Sequence, residues 1–393
     1  MRHRLVASIL AIAPLAAQTT WTVCASGGPG VQFVTLDAAV AAASDGDVIL
    51  CLQPQFGMTL TGFTTSKGLT ILGVGPAAIP IYATTGSAIV VQNVPSNRAF
   101  RMAGFQFIQD GQLRIDVLSC AGSVHFEDIG ARDVDFFFPT VPSISIAGSA
   151  SVTLKQVRTF GTPALQASNS RVLLEQCALG EPINGLRGGA GLRASNCEID
   201  LVQCVVDTAS TSIAPSVYVP AIDAVDCVLR IAGDSSARIA GAALGQPGGI
   251  PIVATRSATY LDPRVTLVEG LGQPTILATG SLALQSVPAS WTSTATLGQN
   301  LTIRTAGPAG SALFLAIGAA AALQSTIFGT LGLDVLQPYS FVGAASPGAT
   351  GTATWTLGVP AALPLGLAFC AQAVVAHQGQ LTLAQPSQFV IRG

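Results

Sequence analysis

The sequence has few charged residues. Only 10% of its 393 residues are Asp, Glu, Lys or Arg, whereas about a quarter is typical of a soluble domain. Lys and Arg number 18 and Asp and Glu number 20, so the formal net charge is −2. Nucleic-acid binding and membrane-surface binding both need clustered cations. The composition therefore argues against both kinds of partner.

The sequence also lacks the patterns of a metal site and of a membrane span. Its eight cysteines include no Cys-x-x-Cys pair, and no cysteine and histidine have the spacing of a zinc site. No stretch beyond the N-terminus offers about 20 uninterrupted apolar residues. The nearest to one, residues 311–323, is interpreted as a core strand. We expect no cofactor, no metal and no transmembrane span.

The N-terminus predicts export. A cationic head at residues 2–4 precedes an apolar run at 5–15, and small residues end the run by residue 17. This order is typical of a secretory signal peptide, although a buried N-terminal strand is the alternative. We therefore predict a signal peptide over residues 1–17 and a mature protein that is secreted or at the cell surface.

Two segments of the chain are nearly the same. "ALQASNSRVLLEQCALG" begins at Ala164 and "GLRASNCEIDLVQCVVD" begins 27 residues later, at Gly191. They share Leu, Ala-Ser-Asn, Leu and Gln-Cys in the same columns. Each contains two apolar residues at alternate positions, such as Val172 and Leu174, which point to one face of a strand.

This apolar pair recurs nine times, at steps of 20 to 31 residues. The pairs are Trp21/Val23, Val48/Leu50, Leu69/Ile71, Phe100/Met102, Val124/Phe126, Val152/Leu154, Val172/Leu174, Ile199/Leu201 and Leu229/Ile231. One short strand per coil, with turn residues between the strands, is typical of a solenoid. The leucine-rich-repeat pattern is absent. We predict an all-β protein with a parallel β-helix of about nine rungs over residues 18–275.

The segment "TLDAAVAAASDGDVIL", residues 35–50, interrupts the strands and predicts a helix. Thr35 is a suitable N-cap, and a helix here would cover the otherwise unpaired end of the first coil. "DAAVAAASDGDVILCLQPQF" followed by "KGLTILGVG" resembles the opening of secreted pectate-lyase-like right-handed parallel β-helix proteins. The resemblance implies a right-handed coil. It leaves the activity open, because that family contains lyases, hydrolases and adhesins.

The end of the chain has a different pattern. Residues 276–290 are rich in Ala, Ser, Thr, Gly and Pro and are interpreted as a linker. Residues 291–393 show alternating strands with Gly/Pro turns, which predicts a small β-sandwich. The part "PLGLAFCAQAVVAHQGQLTLAQP" resembles C-terminal modules that follow β-helix domains in exported bacterial proteins.

Aligned rungs place six cysteines in neighbouring positions. The candidate disulfide pairs are Cys24–Cys51, Cys177–Cys204 and Cys197–Cys227. In-register neighbours lie about 5 Å apart, within the range that a disulfide tolerates. The alternative is a ladder of small buried thiols. Cys120 and Cys370 have no evident partner.

One group of polar residues is a candidate catalytic site. Arg101 and His125 occupy the same outward column in adjacent rungs, and Glu127 lies on the same face. A base beside a cation is what polysaccharide cleavage by elimination needs. However, Glu127, Lys155 and Glu175 also form a column of alternating charge, which stabilises a sheet without any catalysis.

Two functions are therefore open. The first is a non-enzymatic extracellular or cell-surface protein, structural, adhesive or polysaccharide-binding, with extracellular polysaccharide or cell-envelope components as partners. The alternative is a polysaccharide lyase or glycoside hydrolase of the pectate-lyase-like class. The sequence favours the first, because it shows neither a carboxylate cluster suited to calcium nor two facing catalytic carboxylates.

Overall fold

The computed structural model is almost entirely β-structure. It describes residues 18–54, 57–75, 77–84, 86–109, 114–133, 142–159, 163–180, 190–208, 219–241, 249–270, 273–348 and 350–393, with the backbone alone for 109 and 131–133. The predicted signal peptide, residues 1–17, lies outside this part of the chain.

The elements before residue 285 are short strands and one helix. They are β1 (Thr20–Val23), α1 (Leu36–Ala42), β2 (Val48–Leu52), β3 (Met58–Leu60), β4 (Phe63–Thr65), β5 (Thr70–Val74), β6 (Ile79–Ala83), β7 (Ala88–Gln92), β8 (Ala99–Gln109), β9 (Arg114–Leu118), β10 (Ser123–Asp133), β11 (Ile144–Ala147), β12 (Ser151–Lys155), β13 (Arg158–Thr159), β14 (Leu165–Ser168), β15 (Arg171–Glu175), β16 (Ala178–Leu179), β17 (Leu192–Ser195), β18 (Glu198–Val202), β19 (Val205–Asp207), β20 (Ile222–Val225), β21 (Val228–Ala232), β22 (Arg238–Ala240), β23 (Ile252–Thr255), β24 (Ala258–Leu261), β25 (Thr266–Val268), β26 (Ile276–Ala278) and β27 (Ser281–Leu284).

These strands form the predicted parallel β-solenoid. One nine-stranded sheet takes one strand from each successive coil, in the order β4, β7, β9, β11, β14, β17, β20, β23 and β26. The other strands make an 18-stranded sheet that bends around the remaining sides. We call the ladder β1, β2, β5, β8, β10, β12, β15, β18, β21, β24 and β27 within that sheet the main ladder.

The register of the main ladder confirms the repeat. Val152 lies beside Val172, and Val172 lies beside Ile199. All seven apolar pairs from Leu69/Ile71 to Leu229/Ile231 stack in this way and belong to one buried core. The stacking buries the same two positions in every coil, which is what drives the chain to coil.

The predicted phase of the second pair was wrong by one residue. Ile49 and Cys51 point inward, whereas Val48 and Leu50 face outward. The strand "VILCL" is apolar on both faces, so alternation could not decide its direction. Its outer face is apolar because the C-terminal sheets cover it, where Val48 packs in a cluster with Val390.

The predicted helix covers the first coil. Thr35 has extended backbone dihedrals, and its hydroxyl accepts a hydrogen bond from the N–H of Ala38 at 3.4 Å. The helix buries Leu36 and Val40 against the solenoid core. At its other end the ammonium group of Lys67 donates to three backbone carbonyls, which stabilises the C-terminus of the helix.

Residues 276–290, interpreted as a linker, are mostly structured. β26 pairs with β23 and β27 pairs with β24, so both strands extend the solenoid. The many Ala, Ser, Thr, Gly and Pro residues of this segment favoured a linker, but Ile276, Leu282 and Leu284 take the inward positions of its two strands. Only the few residues after β27 connect the solenoid to the C-terminal part.

The C-terminal part consists of additional sheets. Its strands are β28 (Ala289–Thr292), β29 (Ala295–Thr296), β30 (Asn300–Ala306), β31 (Ala312–Thr326), β32 (Gly329–Leu333), β33 (Tyr339–Ala345), β34 (Thr352–Gly358), β35 (Ala368–His377), β36 (Gln380–Leu383) and β37 (Ser387–Arg392). They form a three-stranded and a seven-stranded sheet, and side chains from both contribute to one core.

The C-terminal sheets lie on the outer face of the main ladder. Near its start Val48, Leu72 and Ala103 pack with Val390. Near its end Leu173, Val202 and Ala232 pack with Val287, Ala289, Trp291 and Leu323. The candidate catalytic residues lie between these two apolar clusters. The position of the C-terminal sheets therefore decides whether a substrate can reach these residues.

Candidate functional site

The structure brings the three candidate catalytic residues together. Arg101 and His125 are neighbours in the register of β8 and β10. His125 Nε2 lies 3.0 Å from Glu127 Oε2. All three side chains therefore point outward from one face of the main ladder, as the alternation of the strands predicts, with Arg101 and His125 in one column and Glu127 in the next.

The side chains are covered by the C-terminal sheets. His125 is 5% exposed and Glu127 is 0% exposed. The backbone N–H of Val390, on β37, donates to Glu127 Oε2 at 2.8 Å. The same carboxylate oxygen thus accepts bonds from the histidine and from the covering strand.

Beside Arg101 and His125 there is only a small cavity. Ser123, Gln388 and Val390 also line it. The volume that the centre of a water molecule can occupy inside it is about 10 Å³. This is room for about one water. No sugar ring fits there while the C-terminal sheets are in place.

Burial sets the protonation of this group. Burial lowers the pKa of His125, and the hydrogen bond to Glu127 only partly opposes this effect. Burial alone would raise the pKa of Glu127, but the hydrogen bond from His125 and the charge of Lys155 together lower it. Burial also lowers the pKa of Arg101, to about 10. At neutral pH a neutral imidazole therefore donates Nε2–H to a carboxylate, so this nitrogen cannot accept a substrate proton.

A second buried charge pair lies in the column of Glu127. Lys155 Nζ lies 3.0 Å from Glu175 Oε1, and both side chains are 0% exposed. Lys155 also hydrogen-bonds the hydroxyl of Thr292, and Ser387 donates to Glu175 at 2.8 Å. The alternating column predicted from the sequence is therefore closed by hydroxyl groups from β28 and β37.

Other polar groups of the solenoid are bound in the same way. Thr153 donates to Gln388 at 3.0 Å, and Thr330 donates to Asp200 at 3.1 Å. Arg392 reaches back to Asp128 at 2.6 Å. These contacts join residues more than 120 positions apart in sequence, so the polar column is an interface between the solenoid and the C-terminal sheets.

The structure has all eight cysteines as buried thiols. Cys177 lies beside Cys204, and Cys197 beside Cys227, as aligned from the sequence. The first pair is shifted, because Cys51 lies beside Val23 and not beside Cys24. The shift has the same origin as the phase error at Val48, since both strands were aligned through that pair. The three disulfides remain predictions.

Cys197 and Cys227 belong to a ladder of thiols and hydroxyls. The N–H of one coil donates to the side chain of the next: Cys120 to Ser149, Ser149 to Ser170, Cys197 to Cys227 and Cys227 to Ser257. Each side chain in turn donates to the carbonyl two residues before it, as Ser149 does at 3.2 Å and Cys227 at 3.2 Å. Here cysteine replaces serine as a hydrogen-bonding turn residue. A disulfide would remove the thiol hydrogens that make these bonds.

The outer face of the nine-stranded sheet is open, and the sequence analysis did not identify it. One column across it runs Thr64, Val90, Asp116, Ser145, Gln166, Arg193, Asp223, Val253 and Leu277. Gln166 and Arg193 are exposed, and Arg193 pairs with Asp223 at 3.5 Å. A second alternating pair, as in "LQAS" and "LRAS", marks these strands and was present in the repeat from the start.

The described residues contain no group of three or more His, Cys, Asp or Glu side chains that could hold a metal ion. In the same part of the chain, no helix has the length and apolar character needed to cross a bilayer.

Comparisons with known proteins add little. No family model matches the chain, and no curated protein matches it. Among solved structures it is similar to the enzymatically active domain of tailspike protein 2 from bacteriophage CBA120, with 11% identity and a TM-score of 0.41. The match covers 96% of this chain and 77% of the phage domain. We take neither a site nor a function from a likeness this distant.

Proposed function

We propose that the protein is a non-enzymatic extracellular or cell-surface protein whose solenoid is a scaffold for adhesion or polysaccharide binding. One observation carries the non-enzymatic part. The group best suited to catalysis, Arg101, His125 and Glu127, is sealed under β37 beside a cavity for about one water. A catalytic base must reach the proton that it removes, and this histidine reaches only a carboxylate of its own chain.

The open face of the nine-stranded sheet is the surface that we propose for polysaccharide. Neighbouring rungs of this sheet lie about 4.8 Å apart, so an extended polysaccharide chain can cross several coils and meet the exposed side chains of Gln166 and Arg193 in adjacent rungs. Gln166 and Arg193 provide donors for sugar hydroxyls. The charges are paired, Arg114 with Asp116 and Arg193 with Asp223. This pairing favours a neutral glycan over a polyuronate.

Binding and turnover on a glycan panel test this proposal. The purified protein is applied to arrays of neutral glycans and polyuronates, and the same glycans are assayed for unsaturated products and new reducing ends. We expect binding to neutral glycans without turnover. Gln166→Ala combined with Arg193→Ala should weaken binding at least tenfold, whereas Arg158→Ala, on another face of the solenoid, should not change it.

Turnover of a glycan would show that the protein is an enzyme. Turnover that disappears in His125→Gln, with the melting temperature unchanged, would make the protein a lyase or glycoside hydrolase and overturn the proposal. Binding that survives the Gln166/Arg193 double variant but needs another face would move the binding surface and leave the non-enzymatic role intact.

A further inference from the structure

The two ends of the solenoid differ. The first coil is covered by α1, which buries Leu36, Ala39 and Val40 against the core. At the other end, among the described residues, β25, β26 and β27 each have a strand neighbour on one side only. The last coil therefore presents a row of unpaired backbone N–H and C=O groups, which is a template for another strand.

The last coil also leaves core positions uncovered. Leu282 and Leu284 continue the inward columns of Thr259 and Leu261. One coil earlier these positions are 1% and 3% exposed, but Leu282 is 42% exposed and Leu284 is 66% exposed. These leucines point toward the axis of the solenoid, so another layer of the same kind would bury them.

We propose that the open end of the solenoid docks onto the open end of a second copy of this chain, forming a closed tail-to-tail dimer. A two-fold axis places β27 antiparallel to β27 of the second copy, so that the unpaired backbone groups and the exposed leucines of both ends meet. Residues 273–287, which contain β26 and β27, include no charged residue, whereas Glu269 after β25 is exposed. At β26 and β27 two copies therefore approach without repulsion between like charges.

The covered N-terminal end decides that the assembly closes. A head-to-tail contact would need an open first coil, and such contacts propagate into filaments. Because α1 occupies that end, each chain offers one open end, and the contact stops at two copies.

Light scattering coupled to size exclusion, together with small-angle scattering, tests the dimer. The wild-type protein should have twice the monomer mass, with its longest dimension extended along the solenoid. Leu284→Lys should shift it to the monomer mass without unfolding, because this side chain is largely exposed in one copy. The matched control is Leu381→Lys, which alters an exposed leucine (56%) on the C-terminal sheets and should leave the dimer intact.

Three results would overturn the inference. They are a wild-type protein that stays monomeric at all concentrations, a dimer that resists Leu284→Lys but is lost with Leu381→Lys, and oligomers that grow with concentration beyond two copies. A Leu284→Pro variant provides a second reading, because proline removes a strand donor and should also give a folded monomer.

Discussion

Replacing Lys155 with methionine should be one of the most destabilising single changes in the solenoid. Its ammonium group lies 3.0 Å from the carboxylate of Glu175, and both side chains are fully buried. Two unit charges at this distance attract by about 5 kcal/mol at an effective dielectric constant near 20. Desolvation of both groups offsets most of that gain, but Lys155→Met leaves the carboxylate buried without its partner, at a cost of about 3–5 kcal/mol.

A double-mutant cycle separates the charge pair from packing. Glu175→Gln keeps an oxygen for the N–H of Thr292 and the hydroxyl of Ser387, which both donate to Glu175. Alone it should be costly, because it removes the carboxylate that lies 3.0 Å from the buried ammonium group of Lys155 and leaves only Glu127, in the neighbouring strand, as a counter-charge. Combined with Lys155→Met, it should cost clearly less than the sum of the two single changes. The free energies of unfolding are measured by chemical denaturation, after two-state behaviour has been checked with two probes.

Two outcomes would refute this reasoning. If Lys155→Met costs less than about 1 kcal/mol, the interior here is wetter than the buried contacts imply. If the single costs simply add in the double variant, the two charges do not interact. Hydrogen exchange at β28 and β37 reports whether the loss of stability begins at the interface, since Thr292 and Ser387 both contact the pair.

Three further changes test other parts of the structure. His125→Asn should flatten the fall in melting temperature between pH 7 and pH 5.5: burial lowers the folded pKa of His125 below its unfolded value, so its stabilisation is lost as pH falls through that window. Gly104→Ala should cost about 1–2 kcal/mol in a denaturant titration, because Gly104 has φ +83° and a Cβ there would lie 2.6 Å from Arg392 Nη2. Cys227→Ser should leave the free energy of unfolding nearly unchanged, whereas Cys227→Ala should cost about 1–3 kcal/mol, because the buried N–H of Cys197 loses its acceptor. Equal losses in both variants, together with a wild-type mass 2 Da below that of the all-thiol chain, would indicate a disulfide instead of the ladder.

The middle of the solenoid was predictable because its two faces differ. From Leu69 to Ile231 the inward positions are apolar and the outward ones are mostly polar, so alternation fixes both strand and register. At Val48 and Leu50 the outer face is apolar as well, because Val390 covers it. Alternation then cannot tell which side chains of the strand point inward, and the predicted register was wrong by one residue. The same error had aligned Cys24 with Cys51, whereas Cys51 lies beside Val23.

The candidate site was half predictable for a related reason. Strand alternation places Arg101 and His125 in one column and Glu127 on the same face, and the structure agrees. What lies over a column depends on chain segments far away in sequence. Val390, which binds Glu127, is 263 residues from it, and no local pattern indicates that contact. The same charges are therefore equally consistent with an open site and with a sealed interface until the C-terminal sheets are placed.

The composition of the sealed interface suggests why those charges are there. Apolar clusters at both ends of the main ladder supply the attraction between the solenoid and the C-terminal sheets. Apolar contact alone tolerates sliding, and neighbouring rungs are only about 4.8 Å apart. A slide of one rung would take Lys155 away from Thr292 and Glu127 from the N–H of Val390, leaving buried charges without partners. The polar column thus fixes the register of docking, and the contacts that do so are those that close it to a substrate.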